Sequence, residues 1–264
     1  MDAVIMTGGK GTRLAPYTKV LPKGLLPIGD YPILEILIRQ LRMYGFTRIT
    51  MCCGYLASLV QTYFQDGEHW GVSIRYHTEQ RPLGTAGPLK ELMHLTSPFL
   101  LLNCDVLTNL DFRAFRNHHV EQGNIFTVAS QEQQVPIHLG VLETKGNLVT
   151  GFKEKPNQSA RVSMGIYMMN PELLSYIPDC TFYDIPDLIQ DVLKKEKPVH
   201  QYPSQAFWLD IGRPEDLYAA NRLYPKIEDD LFSNKEKKSM RDVKVADVKR
   251  GCCDEGDDDF RNKT

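Results

Sequence analysis

The stretch AVIMTGGKGTRLAPYTKVLPKGLLPI, residues 3–28, joins an apolar run, a glycine-rich turn, an arginine and a later lysine in one continuous segment. Ala3 to Met6 reads as a buried strand, and Gly8, Gly9 and Gly11 then let the chain turn tightly with its amides bare. Successive bare amides form an anion-binding concavity. Arg13 adds a planar fork suited to phosphate oxygens, and Lys23, set between Pro22 and Gly24, adds a compact charge. The segment reads as a polyphosphate site. It is neither a P-loop, which needs Gly-Lys-Ser/Thr four residues after its first glycine, nor a dinucleotide fingerprint, because Leu14 stands where the third glycine belongs.

Working outward, strand-like and helix-like segments alternate. Asp30 and Pro32 open a helix whose Ile33, Leu34, Leu37, Ile38 and Leu41 share one face, and Gly45 closes it. A strand near Arg48 to Cys53, a helix near Leu56 to Phe64, a strand near Val72 to His77, a helix near Thr85 to Leu95 and an apolar strand from Phe99 to Asn103 follow. This order predicts an α/β fold with a Rossmann-like, mostly parallel sheet flanked by helices on both faces. The second half is richer in strands, near Ile125 to Ser130, Leu139 to Glu143, Leu148 to Lys153 and Ser163 to Met169, and is expected to face the second substrate. Open α/β sheets bind ligands beyond the carboxyl ends of their strands, so the loops carrying Gly8 to Arg13 and Asp105 are expected to meet.

The composition of the 264 residues, 42% hydrophobic and 9% aromatic, is enough for one large buried core. A formal net charge of -2 supplies no general basic field for nucleic acid, so phosphate recognition has to be local. No apolar run is long enough to span a bilayer, and the start of the chain carries no signal-like core, which together favour the cytoplasm. Of the six cysteines, Cys52, Cys53, Cys104, Cys180, Cys252 and Cys253, none forms a C-x-x-C pair, so zinc is not expected. Cys52 and Cys53 read as core thiols, and the pair His118-His119 as solvated side chains on a polar helix. From about residue 225 the chain shifts to alternating charge with few large apolar residues. We therefore divide it into a domain over 1–224 and a weakly structured charged tail over 225–264.

The motif GGKGTRL with Pro22-Lys23 and Pro27-Ile28 resembles the sugar-phosphate nucleotidyltransferases, most closely the mannose-1-phosphate guanylyltransferases. The resemblance continues through PLGTAG (82–87), NCDV (103–106), FKEKP (152–156), GIY (165–167) and WLDIG (208–212), spanning about the first 224 residues. It implies attack of a sugar-1-phosphate on the α-phosphorus of a nucleoside triphosphate, with magnesium and release of pyrophosphate. The implied catalytic residues are Arg13, Lys23, Asp105 and Asp210, with Asp105 and Asp210 holding the metal. The implied nucleotide site comprises Thr7, Gly8, Gly9, Gly11, Thr12, Arg13, Glu79, Gly84, Asn103 and Asp105. On the sugar-phosphate side stand Gly140, Glu154, Lys155, Ser163, Gly165 and Trp208.

Glu79 favours GTP, since guanine offers two adjacent donors that one ionised carboxylate accepts together, whereas uracil and thymine offer one. Mannose-1-phosphate or a related sugar phosphate is the expected partner, and a homo-oligomer is left open. Three positions depart from the family pattern: Ser163 stands for an asparagine, Leu139 for an aromatic residue and Cys104 for a glycine. Uridylyl, thymidylyl or cytidylyl transfer, and a catalytically silent nucleotide-sugar-binding subunit, are the alternative readings. The family's appended hexapeptide-repeat β-helix is not expected in the tail, which lacks recurring aliphatic positions.

Overall fold

The computed structural model describes residues 1–232, so the segment 233–264, most of the expected tail, lies outside the described residues. In chain order the elements are β1 (Asp2–Met6), β2 (Pro27–Ile28), β3 (Tyr31–Pro32), α1 (Ile33–Met43), β4 (Arg48–Cys53), α2 (Ala57–Phe64), β5 (Ser73–Thr78), β6 (Phe99–Asn103) and β7 (Val106–Thr108). They continue with α3 (Phe112–Glu121), β8 (Phe126–Pro136), β9 (Val141–Lys145), β10 (Leu148–Lys153), β11 (Asn157–Met169), α4 (Ile185–Lys194), β12 (His200–Pro203), β13 (Trp208–Asp210) and α5 (Pro214–Leu231).

Seven strands form the main sheet in the order β12-β8-β11-β6-β1-β4-β5. The pairs β4/β5, β1/β4, β1/β6 and β8/β12 are parallel, while β11 runs against both β6 and β8. The mostly parallel α/β sheet expected from the sequence is thus present, with one strand reversed. Alternation along each strand feeds two cores. Ala3, Ile5, Leu100, Leu102, Ile166 and Met168 pack with α1, α2 and α3 on one face, and Val4, Leu101, Tyr167 and Met169 pack with α4 on the other. The chain passes from β1 to β4 on one side and returns to β6 on the other, so the order reverses at β1 and opens a crevice beyond the carboxyl ends of β1 and β6.

The reversed β11 has a second consequence. Its residues Ile166 to Met169 pair with β6, but Asn157 to Ser163 continue past the carboxyl end of β6 and pair with β8 alone. A two-stranded arm therefore projects from the crevice side of the sheet, and the β9–β10 hairpin sits at its tip, closed by the Ile137 amide bonded to the Pro156 carbonyl at 2.9 Å.

Three sequence readings differ from the structure. The helix expected over Thr85 to Leu95 is only a short 3-10 turn, Gly87–Glu91. The amides of Ala86 and Gly87 bond to the Tyr183 carbonyl instead of a carbonyl within a helix, and a β-carbon on Gly87 would meet Thr181 O at 2.9 Å. His119 is buried rather than solvated, because it shares the inner face of α3 with Phe112 and Phe115. Its ring nitrogens meet Thr127 Oγ1 at 2.8 Å and Asn170 Oδ1 at 3.1 Å, and burial lowers its pKa.

The boundary read at Tyr224 falls inside α5, which continues to Leu231. Leu231 and Phe232 are buried in a third cluster with Leu14, Leu26, Ile28, Ile36 and Leu107. Because this cluster underlies the signature segment, a chain ending at Tyr224 should be less stable than one ending at Phe232 by about 3 kcal/mol or more, from two large apolar side chains at roughly 1.5–3 kcal/mol each. Urea unfolding of the two truncated chains measures the difference, and equal midpoints would show that these side chains contribute nothing.

Candidate active site

The crevice is a cleft of about 410 Å³ lined by Gly8, Gly9, Gly11, Thr12, Arg13, Lys23, Glu79, Gly84, Asn103 and Asp105, together with Met6, Pro82, Thr85, Cys104 and Phe182. Nine of the ten residues expected to bind nucleotide therefore meet there. Thr7 is the exception: it is buried, and its hydroxyl donates to Cys52 O at 3.2 Å and lies 3.1 Å from Cys53 Sγ, beneath the loop rather than in the cleft.

Close approach leaves no room for side chains at Gly54 and Gly8. A β-carbon on Gly54, in the turn after β4, would lie 2.9 Å from Gly8 O, and one on Gly8 would lie 2.7 Å from Glu79 Oε1. The loop is thus pressed between the end of β4 and Glu79. Gly11 adopts φ +57°, and its carbonyl accepts the Thr18 hydroxyl at 2.8 Å. Glu79 follows β5, accepts the Leu83 amide through Oε2 at 2.9 Å, and has its pKa raised by burial.

The charged centre lies at the end of β6. Asp105 Oδ2 accepts a short hydrogen bond from Lys23 Nζ, whereas Asp105 Oδ1 is buried without a hydrogen-bond partner. Asp210 arrives on β13, which pairs with β7 so that Asp210 stands opposite Val106, and the Ile211 amide bonds to the Asp105 carbonyl at 3.0 Å. A β-carbon on Gly212 would lie 3.4 Å from both Asp210 Oδ2 and an Arg13 guanidinium nitrogen, which brings all four expected catalytic residues into one neighbourhood. Burial first, and then the Asp105 charge, push the Asp210 carboxyl up to about 6, against the opposing effect of Lys23 and Arg13.

Two adjoining carboxylates, one carrying a buried, unpartnered oxygen, form a donor set that magnesium can use. No group of three or more His, Cys, Asp or Glu suited to a metal occurs among the described residues. Magnesium nevertheless fits a carboxylate pair, since it commonly takes one or two carboxylates and completes its octahedron with water and phosphate oxygens.

The residues expected on the sugar side fall into two groups outside the cleft lining. At a break in the β8/β11 register, Gly165 (φ +70°) abuts Asn103, with a virtual β-carbon 2.8 Å from Asn103 Nδ2, and Ser163 Oγ accepts the Gly165 amide. Trp208 Nε1 donates to Met164 O at 2.9 Å in the same region. Gly140, Glu154 and Lys155 form the second group on the arm, where Glu154 and Lys155 are exposed and Lys155 adopts φ +44°. Pro82 and Thr85 are readable as neighbours of Gly84 in PLGTAG, but no sequence signal marks Phe182.

The nucleotidyl transferase family model matches residues 2–227, and the chain belongs to that family. It is 33% identical over 243 residues to a UTP-glucose-1-phosphate uridylyltransferase of Synechocystis, covering 84% of this chain and 63% of the relative. It is 32% identical over 234 residues to a mannose-1-phosphate guanyltransferase of Saccharomyces cerevisiae, covering 85% of this chain and 64% of the relative. The chain thus spans a little under two thirds of the length of these curated relatives. A Bacillus anthracis protein provisionally assigned as a glucose-1-phosphate thymidylyltransferase, solved with sucrose, superposes with a TM-score of 0.73 at 25% identity, covering 90% of this chain and 99% of that one. Among the described residues no helix is long and apolar enough to cross a membrane.

The cleft rim depends on a further glycine. At φ +81°, a β-carbon on Gly84 would lie 2.6 Å from the Tyr183 carbonyl oxygen, a backbone atom that cannot rotate away. Gly84→Ala should therefore lower stability by about 1–3 kcal/mol, the cost of a strained left-handed residue, as measured by urea unfolding. An unchanged midpoint would mean that the rim relaxes freely.

Proposed function

We propose that this chain transfers a nucleotidyl group from a nucleoside triphosphate to a sugar-1-phosphate. A phosphate oxygen of the sugar-1-phosphate forms a bond to the α-phosphorus, the bond from that phosphorus to the β-bridging oxygen breaks, and pyrophosphate leaves with the electron pair. The observation that carries this reading is the convergence of Arg13, Lys23, Asp105 and Asp210 on the glycine loop at the carboxyl ends of β1 and β6. With a second pKa near 6, the attacking phosphate is mostly ionised at pH 7, so neither a protein nucleophile nor a general base is required. What remains is to neutralise two anions and align them.

The chain's own groups divide that work. The Arg13 guanidinium binds the β- and γ-phosphates that leave, Lys23 neutralises charge near the α-phosphate, and the amides around Gly8 and Gly9 take part with Glu79 and Gly84 in holding the base. Asp105 and Asp210 hold magnesium, which when bound supplies positive charge to the phosphate oxygens. Lys155 pairs with the sugar phosphate and Glu154 accepts from sugar hydroxyls, while Gly140, Ser163, Gly165 and Trp208 shape the sugar side. The Lys23–Asp105 ion pair keeps the lysine at the reaction centre before substrate arrives.

GTP and mannose-1-phosphate are the favoured pair. Glu79 lines the cleft with a carboxylate suited to the adjacent donors of guanine, and a yeast guanyltransferase is among the relatives. The Synechocystis uridylyltransferase supports a second reading with UTP and glucose-1-phosphate. A matrix of five nucleoside triphosphates against several sugar-1-phosphates, read by pyrophosphate release, tests activity, base and sugar together. No release in any cell of the matrix would leave a silent binding protein.

Asp105→Asn and Asp210→Asn should each lower turnover about a hundredfold or more at saturating magnesium while remaining folded, because the amide keeps the shape and loses the charge that holds the metal. Near-normal turnover in both variants would remove them from the metal site. Glu79→Gln should reduce kcat/KM for GTP about tenfold more than for UTP, corresponding to roughly 1.4 kcal/mol of discrimination. An equal decrease for both nucleotides would mean that Glu79 does not read the base.

A further inference from the structure

Phe182 is 60% exposed, yet it lines the cleft beside Pro82, Gly84 and Thr85. Such exposure often marks a loose loop, but this segment is pinned. The Tyr183 amide donates to Leu83 O and the Tyr183 carbonyl accepts from the amides of Ala86 and Gly87, all at 2.9 Å. Asp184 Oδ1 accepts both the amide and the hydroxyl of Thr85, and the Arg81 guanidinium holds the Cys180 carbonyl. The two segments are close enough that a side chain on Gly84 would collide with Tyr183 O. Tyr183 itself is buried in the core below, so the backbone on either side of Phe182 is fixed while the phenyl ring stays in the cleft.

An aromatic ring fixed at the rim of a cleft, with its apolar surface still in water, has burial available only to a ligand. The same cleft carries the amides of Gly8 and Gly9, suited to phosphate and sugar oxygens, and Glu79, suited to the donor edge of a base. A flat nucleobase has an apolar face that neither group satisfies. Resting on the nucleotidyl-transfer reading of this cleft, we propose that Phe182 is a nucleobase-stacking residue that contributes affinity for the nucleoside triphosphate whatever its base. Stacking does not depend on the hydrogen-bonding edge, because every base has a π-face. Affinity and base choice then reside in different side chains, Phe182 and Glu79.

The test uses the full chain and compares wild type with Phe182→Ala and Phe182→Trp by calorimetric titration with GTP, UTP and inorganic tripolyphosphate. Phe182→Ala should weaken both nucleotides by about five- to a hundredfold, the range for loss of one base–aromatic stack, while tripolyphosphate binding stays within twofold. Phe182→Trp should bind both nucleotides at least as tightly as wild type. Unchanged nucleotide affinity in Phe182→Ala would overturn the assignment, as would equal weakening of tripolyphosphate, which has no base to stack. If nucleotide binding follows the expected pattern but no sugar-1-phosphate yields pyrophosphate, the transfer reading fails and the stacking role stands. A wild-type chain that binds neither nucleotide overturns both.

Discussion

Two carboxylates brought together repel one another, and the arrangement around half-buried Asp105 and exposed Asp210 follows from managing that repulsion. The β7–β13 pairing and the Ile211 amide on the Asp105 carbonyl hold their backbones side by side. Lys23 takes one oxygen of Asp105 and Arg13 lies against Gly212 beside Asp210, while desolvation first and then the Asp105 charge still push the Asp210 carboxyl up to about 6. Each cation reaches this place from the signature segment because the chain there is small. A β-carbon on Gly24, next to Lys23, would already be 3.2 Å from Leu34 and 3.7 Å from the Cys104 β-carbon. The site thus holds two carboxylates and two cations within one neighbourhood.

The sheet is what makes such convergence possible from distant parts of the sequence. β1 and β6 are neighbours, so the glycine loop and the Asp105 turn leave the same edge of the sheet on either side of the point where strand order reverses. The third core cluster then ties the signature segment to α5, joining Leu14, Leu26 and Ile28 to Ile211, Leu217 and Leu231. Asp210 lies just before Ile211, so the packing that anchors α5 also sets the position of a carboxylate at the site.

The sequence makes legible whatever is encoded by local periodicity. Apolar runs from Ala3 to Met6 and Phe99 to Asn103 mark strands buried on both faces, and the spacing of Ile33, Leu34, Leu37, Ile38 and Leu41 marks a helix packed on one of them. Features determined by distant partners stay hidden. His119 looks polar until Thr127 and Asn170 satisfy its ring, and Thr85 to Leu95 looks helical until Tyr183 captures two of its amides. Thr7 belongs to the motif as a sequence position, but its hydroxyl is spent on Cys52 and Cys53 below the loop. Phe182 contributes to the cleft only through long-range pairing of its neighbours, which no short window of sequence contains.

The arm built by β8 and β11 shows the same limit from another direction. Gln131 to Pro136 and Asn157 to Val162 pair outside the cover of the helices, and most of their residues are exposed, so the apolar alternation that reveals a half-buried strand never develops. Register here is carried by backbone hydrogen bonds and cross-strand contacts such as Arg161 with Glu132, not by a core. Glu154 and Lys155 lie between the hairpin and β11 on this arm, whereas Asp105, Lys23 and Glu79 are anchored to the packed sheet. The arm and the cleft therefore differ in their surroundings. An added side chain at Gly54 or Gly84 beside the cleft meets backbone at 2.9 or 2.6 Å, whereas the strands of the hairpin are mostly exposed, so a region open to sequence change stands beside one held by close backbone contact.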